Sequence, residues 1–221
     1  MSRVGSVRAL VFDLDGTLVD SAPGILRCLR QALAEVAPGE DPNFPSDLVG
    51  PSVREMLARL LPHADEAVVD AGVRAFRRCY DGGGWRDAVP YWGVHAMLET
   101  LRSAGIRLFI VTNKPRVPTD RILAHFGWQD LFDAVVCRDD TAPPFPDKRA
   151  ALARLVEDES LAVDCALFVG DTTDDAAAAE ACGIAFVFAA YGYGEGRLAA
   201  RALSSLDSPA ALVAFLQRRA G

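Results

Sequence analysis

The sequence lacks the features that mark disulfide-rich, zinc-binding, nucleic-acid-binding and membrane proteins. Its five cysteines are odd in number, spread along 221 residues, and include no Cys-x-x-Cys pair, so they predict neither a disulfide framework nor a zinc site. Lysine and arginine form no stripe that could follow a nucleic-acid backbone, and the net charge is −7. No apolar run approaches the length of a membrane span. We therefore expect neither a nucleic acid nor a membrane as partner.

Further absences bear on the compartment and on the domain organisation. The first residues lack the basic region and the long apolar stretch of a secretory signal, and unpaired cysteines suit a reducing compartment. We expect a soluble, cytoplasmic protein. Hydrophobic residues make up 51% of the chain, which is enough to fill one large core or a core with a smaller insertion.

Two aspartates one residue apart follow the first apolar run of the chain. Ala9–Phe12 reads as a buried parallel strand, and Asp13 and Asp15 come directly after it. Carboxylates crowded at a strand end repel one another unless a cation neutralises them or one of them keeps a proton. A solvated turn that ends the strand is the competing interpretation. For Asp-x-Asp-Gly alone, both interpretations stay open.

The rest of the chain shows two successive patterns. Apolar residues recur at helical spacing, without a strand-like run, between residues 20 and 100. Four later apolar runs alternate with helical segments: 106–112, 134–137, 165–170 and 184–188. This alternation is typical of a doubly wound α/β fold with a parallel sheet. We predict an α/β core from residues 1–19 and 91–221 and an inserted all-helical cap from residues 20–90.

Polar residues also follow two of the later runs. Thr112 and Asn113 end one run, and Asp171 and Asp175 follow another. Ligands of doubly wound sheets bind beyond the carboxyl ends of the strands. We therefore expect these residues to share a site with the two aspartates that follow the first run.

The nonapeptide DLDGTLVDS, residues 13–21, resembles the first motif of the haloacid dehalogenase-like hydrolases, and the two later segments resemble their later motifs. The resemblance is closest to the phosphoglycolate phosphatase-like branch. It implies a Rossmann-like core with a helical cap and a phosphatase that acts on a small phosphorylated metabolite, with phosphoglycolate as the leading substrate. It also implies that Asp13 attacks phosphorus and becomes an aspartyl phosphate, while Asp15 protonates the leaving oxygen and later activates water.

The same resemblance implies a Mg²⁺ cofactor and a set of binding residues. The side chains of Asp13 and Asp171 and the backbone carbonyl of Asp15 would hold the metal. Asp175 would orient the metal-bound waters or the loop. Thr112 would hydrogen-bond the transferring phosphoryl group, with Asn113 beside it as a further substrate contact. A hard cation with oxygen ligands suits this chemistry, because an anionic carboxylate attacks an anionic phosphate poorly without one.

The chain departs from the family pattern at the cation that binds phosphate. Many relatives carry a lysine just before a proline after the third core strand, where this chain has Pro143 and Pro144. Lys148 is the nearest candidate, because it follows a predicted N-cap and opens a helix. Arg149 and Lys114 are weaker alternatives, and a solvated first-turn lysine is the competing interpretation of Lys148.

Several alternatives remain open from the sequence. The fold could serve a phosphomutase of the β-phosphoglucomutase type, or a phosphate-sensing or partner-binding module without turnover, although intact Asp13 and Asp15 argue against the latter. The protein could be a monomer or a homodimer. Gly192, Gly194 and Gly196 do not complete a dinucleotide-binding fingerprint, and we interpret them as a turn.

Overall fold

The centre of the protein is a six-stranded parallel sheet. The computed structural model describes residues 7–39, 44–45, 48–194 and 196–220. The strands of the described chain are β1 (Ala9–Phe12), β2 (Val19–Asp20), β3 (Val89–Pro90), β4 (Arg107–Thr112), β5 (Ala134–Cys137), β6 (Ala166–Gly170), β7 (Ala185–Ala189) and β8 (Ser204–Leu206). Six of them form the parallel sheet in the order β5-β4-β1-β6-β7-β8. The predicted α/β fold with a parallel sheet is confirmed.

The register of the sheet places the ends of three strands side by side. Phe12 at the end of β1 pairs with Ile110 of β4 and with Val169 of β6. All three side chains are buried, because apolar residues cover both faces of a parallel sheet. The segments that follow β1, β4 and β6 therefore leave the sheet along one edge.

Helices cover both faces of this sheet and also form a separate insertion. The α-helices of the described chain are α1 (Ala22–Val36), α2 (Val53–Leu60), α3 (Glu66–Gly82), α4 (Val94–Ser103), α5 (Arg116–Phe126), α6 (Lys148–Asp158), α7 (Thr173–Ala181) and α8 (Ala210–Ala220). Helices α1, α2 and α3 lie between β1 and β4, and α3 packs against both α1 and α2. No helix in the described ranges is long and apolar enough to cross a membrane.

Two short strands flank the helical insertion. The sequence analysis predicted no strand between residues 20 and 100. Val19 and Asp20 of β2 pair antiparallel with Pro90 and Val89 of β3. Two-residue strands are too short to produce a period-of-two signal. The expectation of an uninterrupted helical stretch is therefore wrong at its end, and the predicted domain boundaries stay a prediction.

The cysteines and the edge of the sheet give two further corrections. Cys28 of α1 and Cys79 of α3 form a disulfide with their Cα atoms 5.6 Å apart, although the sequence predicted no disulfide framework. These cysteines are 51 residues apart, and only the packing of α1 on α3 brings them together. The edge strand β8 was also missed, because three residues with two serines give no apolar run.

Candidate active site

The loop that follows β1 turns sharply at Gly16. Gly16 has a φ of 83°, and its N–H donates to the carbonyl oxygen of Val19 at 2.8 Å. A Cβ atom at this position would lie 2.2 Å from Oδ2 of Asp171. Glycine is therefore required both for the left-handed backbone and for the close approach of a carboxylate. The turn leaves Asp13 buried, with only 3% of its surface exposed.

Lys148 lies between two carboxylates of this site. Its Nζ atom lies 3.0 Å from Oδ1 of Asp13 and 2.6 Å from Oδ1 of Asp175, and the side chain is buried. Burial lowers the pKa of a lysine, but the two carboxylates outweigh that effect and raise the pKa of Lys148 above its ordinary value. The solvated interpretation of Lys148 is wrong. Arg149 is exposed instead and pairs with Asp147.

Asp171 is held between two loops. The hydroxyl of Thr17 donates to Oδ1 of Asp171 at 3.0 Å, and the backbone N–H of Tyr193 donates to Oδ2 at 2.8 Å. A Cβ atom on Gly192 would lie 2.2 Å from the carbonyl oxygen of Gly16 and 2.5 Å from Cβ of Asp171. The glycine segment that the sequence predicted as a turn is thus part of the site.

Asp175 uses both of its carboxylate oxygens within the protein. Oδ1 accepts from Lys148, and Oδ2 accepts from the N–H groups of Asp171 and Thr172 at 3.1 and 2.8 Å and from the Thr172 hydroxyl at 2.6 Å. These contacts tie the loop after β6 to Lys148. They suit a residue that positions its neighbours better than one that binds a ligand directly.

The carboxylates of Asp13, Asp171 and Asp175 form a buried cluster, with one oxygen of each within 4.8 Å of the others. Burial raises the pKa of Asp13 to about 7, although Lys148 opposes the shift, and burial with Asp175 and Asp13 nearby raises the pKa of Asp171 well above its usual range. No group among the described residues donates a well-directed hydrogen bond to Oδ1 of Asp13, whose contact with Lys148 is an ion pair. Such a cluster fits a hard divalent cation with oxygen ligands.

Asp15 is oriented by two donors from different elements. The hydroxyl of Ser21 donates to Oδ1 at 2.5 Å, and Nζ of Lys114 donates to Oδ2 at 2.8 Å. Ser21 directly precedes α1, but its side chain makes no capping hydrogen bond there. The Lys114 ammonium lies 4.7 Å from the ring centre of Tyr80 in α3. Lys114, one of the alternatives for the phosphate-binding cation, is thus paired with Asp15 rather than with Asp13.

The two polar residues at the end of β4 point to different surroundings. Thr112 is buried, and its Oγ1 accepts from the N–H of Lys114 at 3.1 Å. Asn113 donates from Nδ2 to the carbonyl oxygen of Gly50 at 3.3 Å, so it links the core to the helical insertion. Both line the cavity described next, and their roles as substrate ligands stay predictions.

A cavity of about 630 Å³ lies between the strand ends and the helical insertion. At the strand ends it is lined by Asp13, Asp15 and Thr112, and its other walls come mainly from the helical insertion and from the segment 138–146. Asp13, Asp15, Thr112 and Asn113 therefore border one cavity, and Asp171 and Asp175 lie behind it in the buried cluster with Asp13. The arrangement can bring the carboxylates of Asp13 and Asp15 and the ammonium of Lys114 to one small molecule.

Sequence reasoning missed the residues that support these side chains. Thr17 and Ser21 belong to the nonapeptide after β1, so their side chains could have been considered as partners of nearby aspartates. Tyr193 contributes a backbone N–H to Asp171, and its hydroxyl accepts from the N–H of Ser21 at 2.7 Å. Every residue except proline has a backbone N–H, so the residue type of Tyr193 could not have identified it as a donor to Asp171.

Residues 10–189 match the family model described as haloacid dehalogenase-like hydrolase. The match includes β1 from Leu10 onward, β4 and β6. It also includes Asp13, Asp171 and Lys148. The chain belongs to the haloacid dehalogenase-like hydrolase family.

Individual relatives and solved structures agree with this membership. The chain is 37% identical over 195 residues to a phosphoglycolate phosphatase of Cereibacter sphaeroides, covering 83% of this chain and 85% of the relative. It is 32% identical over 219 residues to the tyrosine-protein kinase PtkA of Mycobacterium tuberculosis, covering 98% and 73%. A haloacid dehalogenase-like hydrolase from Streptococcus pneumoniae has a TM-score of 0.84 at 25% identity, covering 95% of this chain and 98% of that one.

Proposed function

We propose that the protein is a magnesium-dependent phosphatase that hydrolyses a small phosphorylated metabolite through an aspartyl phosphate. One observation carries the proposal: Asp13 is buried on the catalytic side of a cavity, beside Lys148 and the carboxylate of Asp171, and its Oδ1 lacks a directed hydrogen bond from the described residues. This is an arrangement in which a carboxylate is available for attack. Phosphoglycolate is the first substrate to test, because relatives such as that of C. sphaeroides carry the name phosphoglycolate phosphatase.

The proposed reaction has two steps. A carboxylate oxygen of Asp13 bonds to phosphorus while the bond between phosphorus and the ester oxygen breaks, and Asp15 gives a proton to that oxygen so that an alcohol leaves. Asp15 then takes a proton from water, the water oxygen bonds to phosphorus, and the bond to Asp13 breaks. The balance is one ester and one water consumed, with one alcohol and one phosphate released.

The metal site in this proposal uses the buried carboxylate cluster. Asp13 and Asp171 would hold Mg²⁺ with the backbone carbonyl of Asp15, and Asp175 would keep Lys148 and the loop after β6 in place. Bound Mg²⁺ supplies positive charge that offsets the repulsion between the attacking carboxylate and the phosphoryl oxygens. Lys148 adds a second positive charge, which is needed because three carboxylates and a phosphoryl group exceed the charge of one divalent ion.

The helical insertion is proposed as a cap over the site. Residues 20–90 would close over the substrate, exclude bulk water during phosphoryl transfer and reopen for product release. The paired strands β2 and β3 lie at both ends of this segment, so we propose that the hinge lies there. The cap would then decide which esters are cleaved more than whether cleavage occurs.

Transfer to an acceptor other than water is the rival function. A phosphomutase passes the phosphoryl group to a sugar. The name of one relative, tyrosine-protein kinase, implies transfer of a phosphoryl group to a protein tyrosine. A mutase and a kinase, like a phosphatase, need a nucleophile or an acceptor close to the phosphoryl group. They differ from it in the product, which an assay can identify.

The test is phosphate release from a panel of monoesters with Mg²⁺ and with a chelator. The panel includes 2-phosphoglycolate and β-glucose 1-phosphate, and ATP with a tyrosine-containing peptide is assayed in parallel. We expect inorganic phosphate only with Mg²⁺, and none from Asp13→Asn, whose fold is checked by circular dichroism. Glucose 6-phosphate without phosphate release would establish a mutase, phosphopeptide would establish a kinase, and no turnover of any compound would favour a binding module.

A further inference from the structure

The cavity beside Asp13 is larger than glycolate requires. Its volume of about 630 Å³ lies within the range of roughly 300–1,000 Å³ for pockets that enclose drug-sized ligands. A phosphoryl group with two waters fills the space of about five water molecules, which is roughly 150 Å³ at about 30 Å³ each. Most of the cavity therefore remains for the leaving group.

The wall that would face the leaving group has an apolar patch, which lies beside the charged residues Arg54, Arg77 and Asp81 of the same helices. Helices α1, α2 and α3 line it with aliphatic and aromatic side chains: Ile25, Val53, Met56, Val73 and Phe76. Met56 and Phe76 are buried within the insertion. A ligand gains free energy here by covering apolar surface, and glycolate, with one methylene group, has almost none to offer.

One buried polar group adjoins this apolar patch. Tyr80 lines the cavity and is only 3% exposed, and its hydroxyl makes no hydrogen bond of ordinary geometry within the described parts of the chain, although the Lys114 ammonium lies close to it. Its ring stacks on Phe76 with the ring centres 5.3 Å apart. A buried hydroxyl that lacks a well-directed hydrogen bond is costly, and a ligand that offers a hydrogen-bonding group would satisfy it.

We propose that this cavity is a leaving-group subsite for a phosphate monoester with an apolar ring that bears one hydrogen-bonding substituent. The ring packs on the wall formed by α2 and α3, and the substituent pairs with the hydroxyl of Tyr80. The inference rests on the proposed phosphatase function, because the phosphoryl group is placed at Asp13. It makes Val73 and Tyr80 specificity-determining residues.

The first experiment compares kcat/KM for benzyl phosphate, methyl phosphate and 2-phosphoglycolate with Mg²⁺. Benzyl and methyl phosphate both release a simple alcohol, so a difference between them reports on binding of the ring. We expect benzyl phosphate to exceed both others by at least about tenfold, since even one methylene group in an apolar pocket is worth about 10–200-fold. Equal or lower values for benzyl phosphate would overturn the subsite.

Binding of phosphonates separates failure of the subsite from failure of the proposed function. Benzylphosphonate and methylphosphonate cannot be hydrolysed, and their dissociation constants are measured by calorimetry with the parent protein and Mg²⁺. Tighter binding of benzylphosphonate supports the subsite even if no ester is turned over, in which case only the phosphatase proposal fails. Equal binding of the two phosphonates refutes the subsite whatever the enzyme hydrolyses.

Single substitutions test which residues cause the preference for benzyl phosphate over methyl phosphate. Val73→Thr keeps the shape of the side chain but adds a hydroxyl to the wall, and we expect the ratio of benzyl to methyl kcat/KM to fall about fivefold. Val213→Thr on α8 is the matched control, because Val213 is also half-buried but does not line the cavity. A ratio that changes equally in both variants would contradict the assignment of Val73.

Tyr80→Phe tests the hydrogen-bonding part of the proposal. Phenylalanine keeps the ring that stacks on Phe76 and faces Lys114, so only the hydroxyl is lost. The ratio of kcat/KM for 3-hydroxybenzyl phosphate to that for benzyl phosphate should exceed one in the parent and fall about three- to tenfold in the variant, as for loss of one hydrogen bond. The same ratio in both proteins would remove Tyr80 from the subsite.

Discussion

The Nζ atom of Lys114, just beyond the end of β4, lies 2.8 Å from Oδ2 of Asp15, in the loop after β1. Both side chains are mostly buried, and the hydroxyl of Ser21 occupies the other carboxylate oxygen. Asp15 is therefore held in one orientation by donors from two directions. A proton donor that acts on a leaving oxygen needs such positioning.

The first prediction concerns this pair. Asp15→Asn should lower kcat by roughly 10²–10⁴-fold, the range for a positioned general acid or base. Lys114→Ala should lower kcat by about tenfold, because Asp15 loses one of its two orienting contacts. If Lys114 acts through Asp15, the double variant should be no slower than Asp15→Asn alone. Multiplied losses in the double variant would show that Lys114 works independently of Asp15.

The second prediction concerns the cation beside the nucleophile. Lys148→Ala should lower turnover by about two orders of magnitude, because Lys148 contacts Asp13 and Asp175 and would stabilise the charged transition state. Arg149→Ala is the matched control, since Arg149 is the next residue and is exposed. Steady-state rates and thermal unfolding of both variants are compared. Parent activity in a folded Lys148→Ala protein would contradict the assignment.

The third prediction concerns the close packing around Asp171. Gly192→Ala should reduce turnover by about tenfold or more, because the new Cβ would collide with the backbone of Gly16 and with Asp171 and displace an aligned carboxylate. Gly196→Ala is the control, since a Cβ there meets no atom of the described residues within 4 Å, its chain neighbours aside. Activity of the two variants is measured at equal Mg²⁺. Equal activity would show that the loop after β7 adapts without cost.

The fourth prediction concerns metal binding without turnover. Mg²⁺ at a hundred times its dissociation constant should raise the melting temperature by about 5–10 °C, because it would bind the carboxylate cluster only in the folded protein. Asp171→Asn should lose most of this shift. Asp174→Asn should keep it, because Asp174 lies outside the cluster of Asp13, Asp171 and Asp175. An equal shift in all three proteins would place the ion elsewhere.

The site was largely predictable from sequence wherever a side chain follows directly on a strand. Asp13, Thr112 and Asp171 come immediately after or at the end of apolar runs, and neighbouring parallel strands end at one edge. Their convergence therefore follows from the strand pattern once β4, β1 and β6 are neighbours. Three departures were short elements: β2, β3 and β8 contain too few residues for a periodic signal.

The amino-acid sequence by itself determined the order of apolar runs, the carboxylates at their ends and the helical character of the insertion, because these depend on local patterns of burial. Only the tertiary structure decided that Lys148 pairs with Asp13 while Lys114 pairs with Asp15. It also decided that Cys28 meets Cys79 and that the N–H of Tyr193 holds Asp171. The reach of a long side chain, the packing of one helix on another and the direction of a backbone N–H depend on distant segments, so no local pattern encodes them.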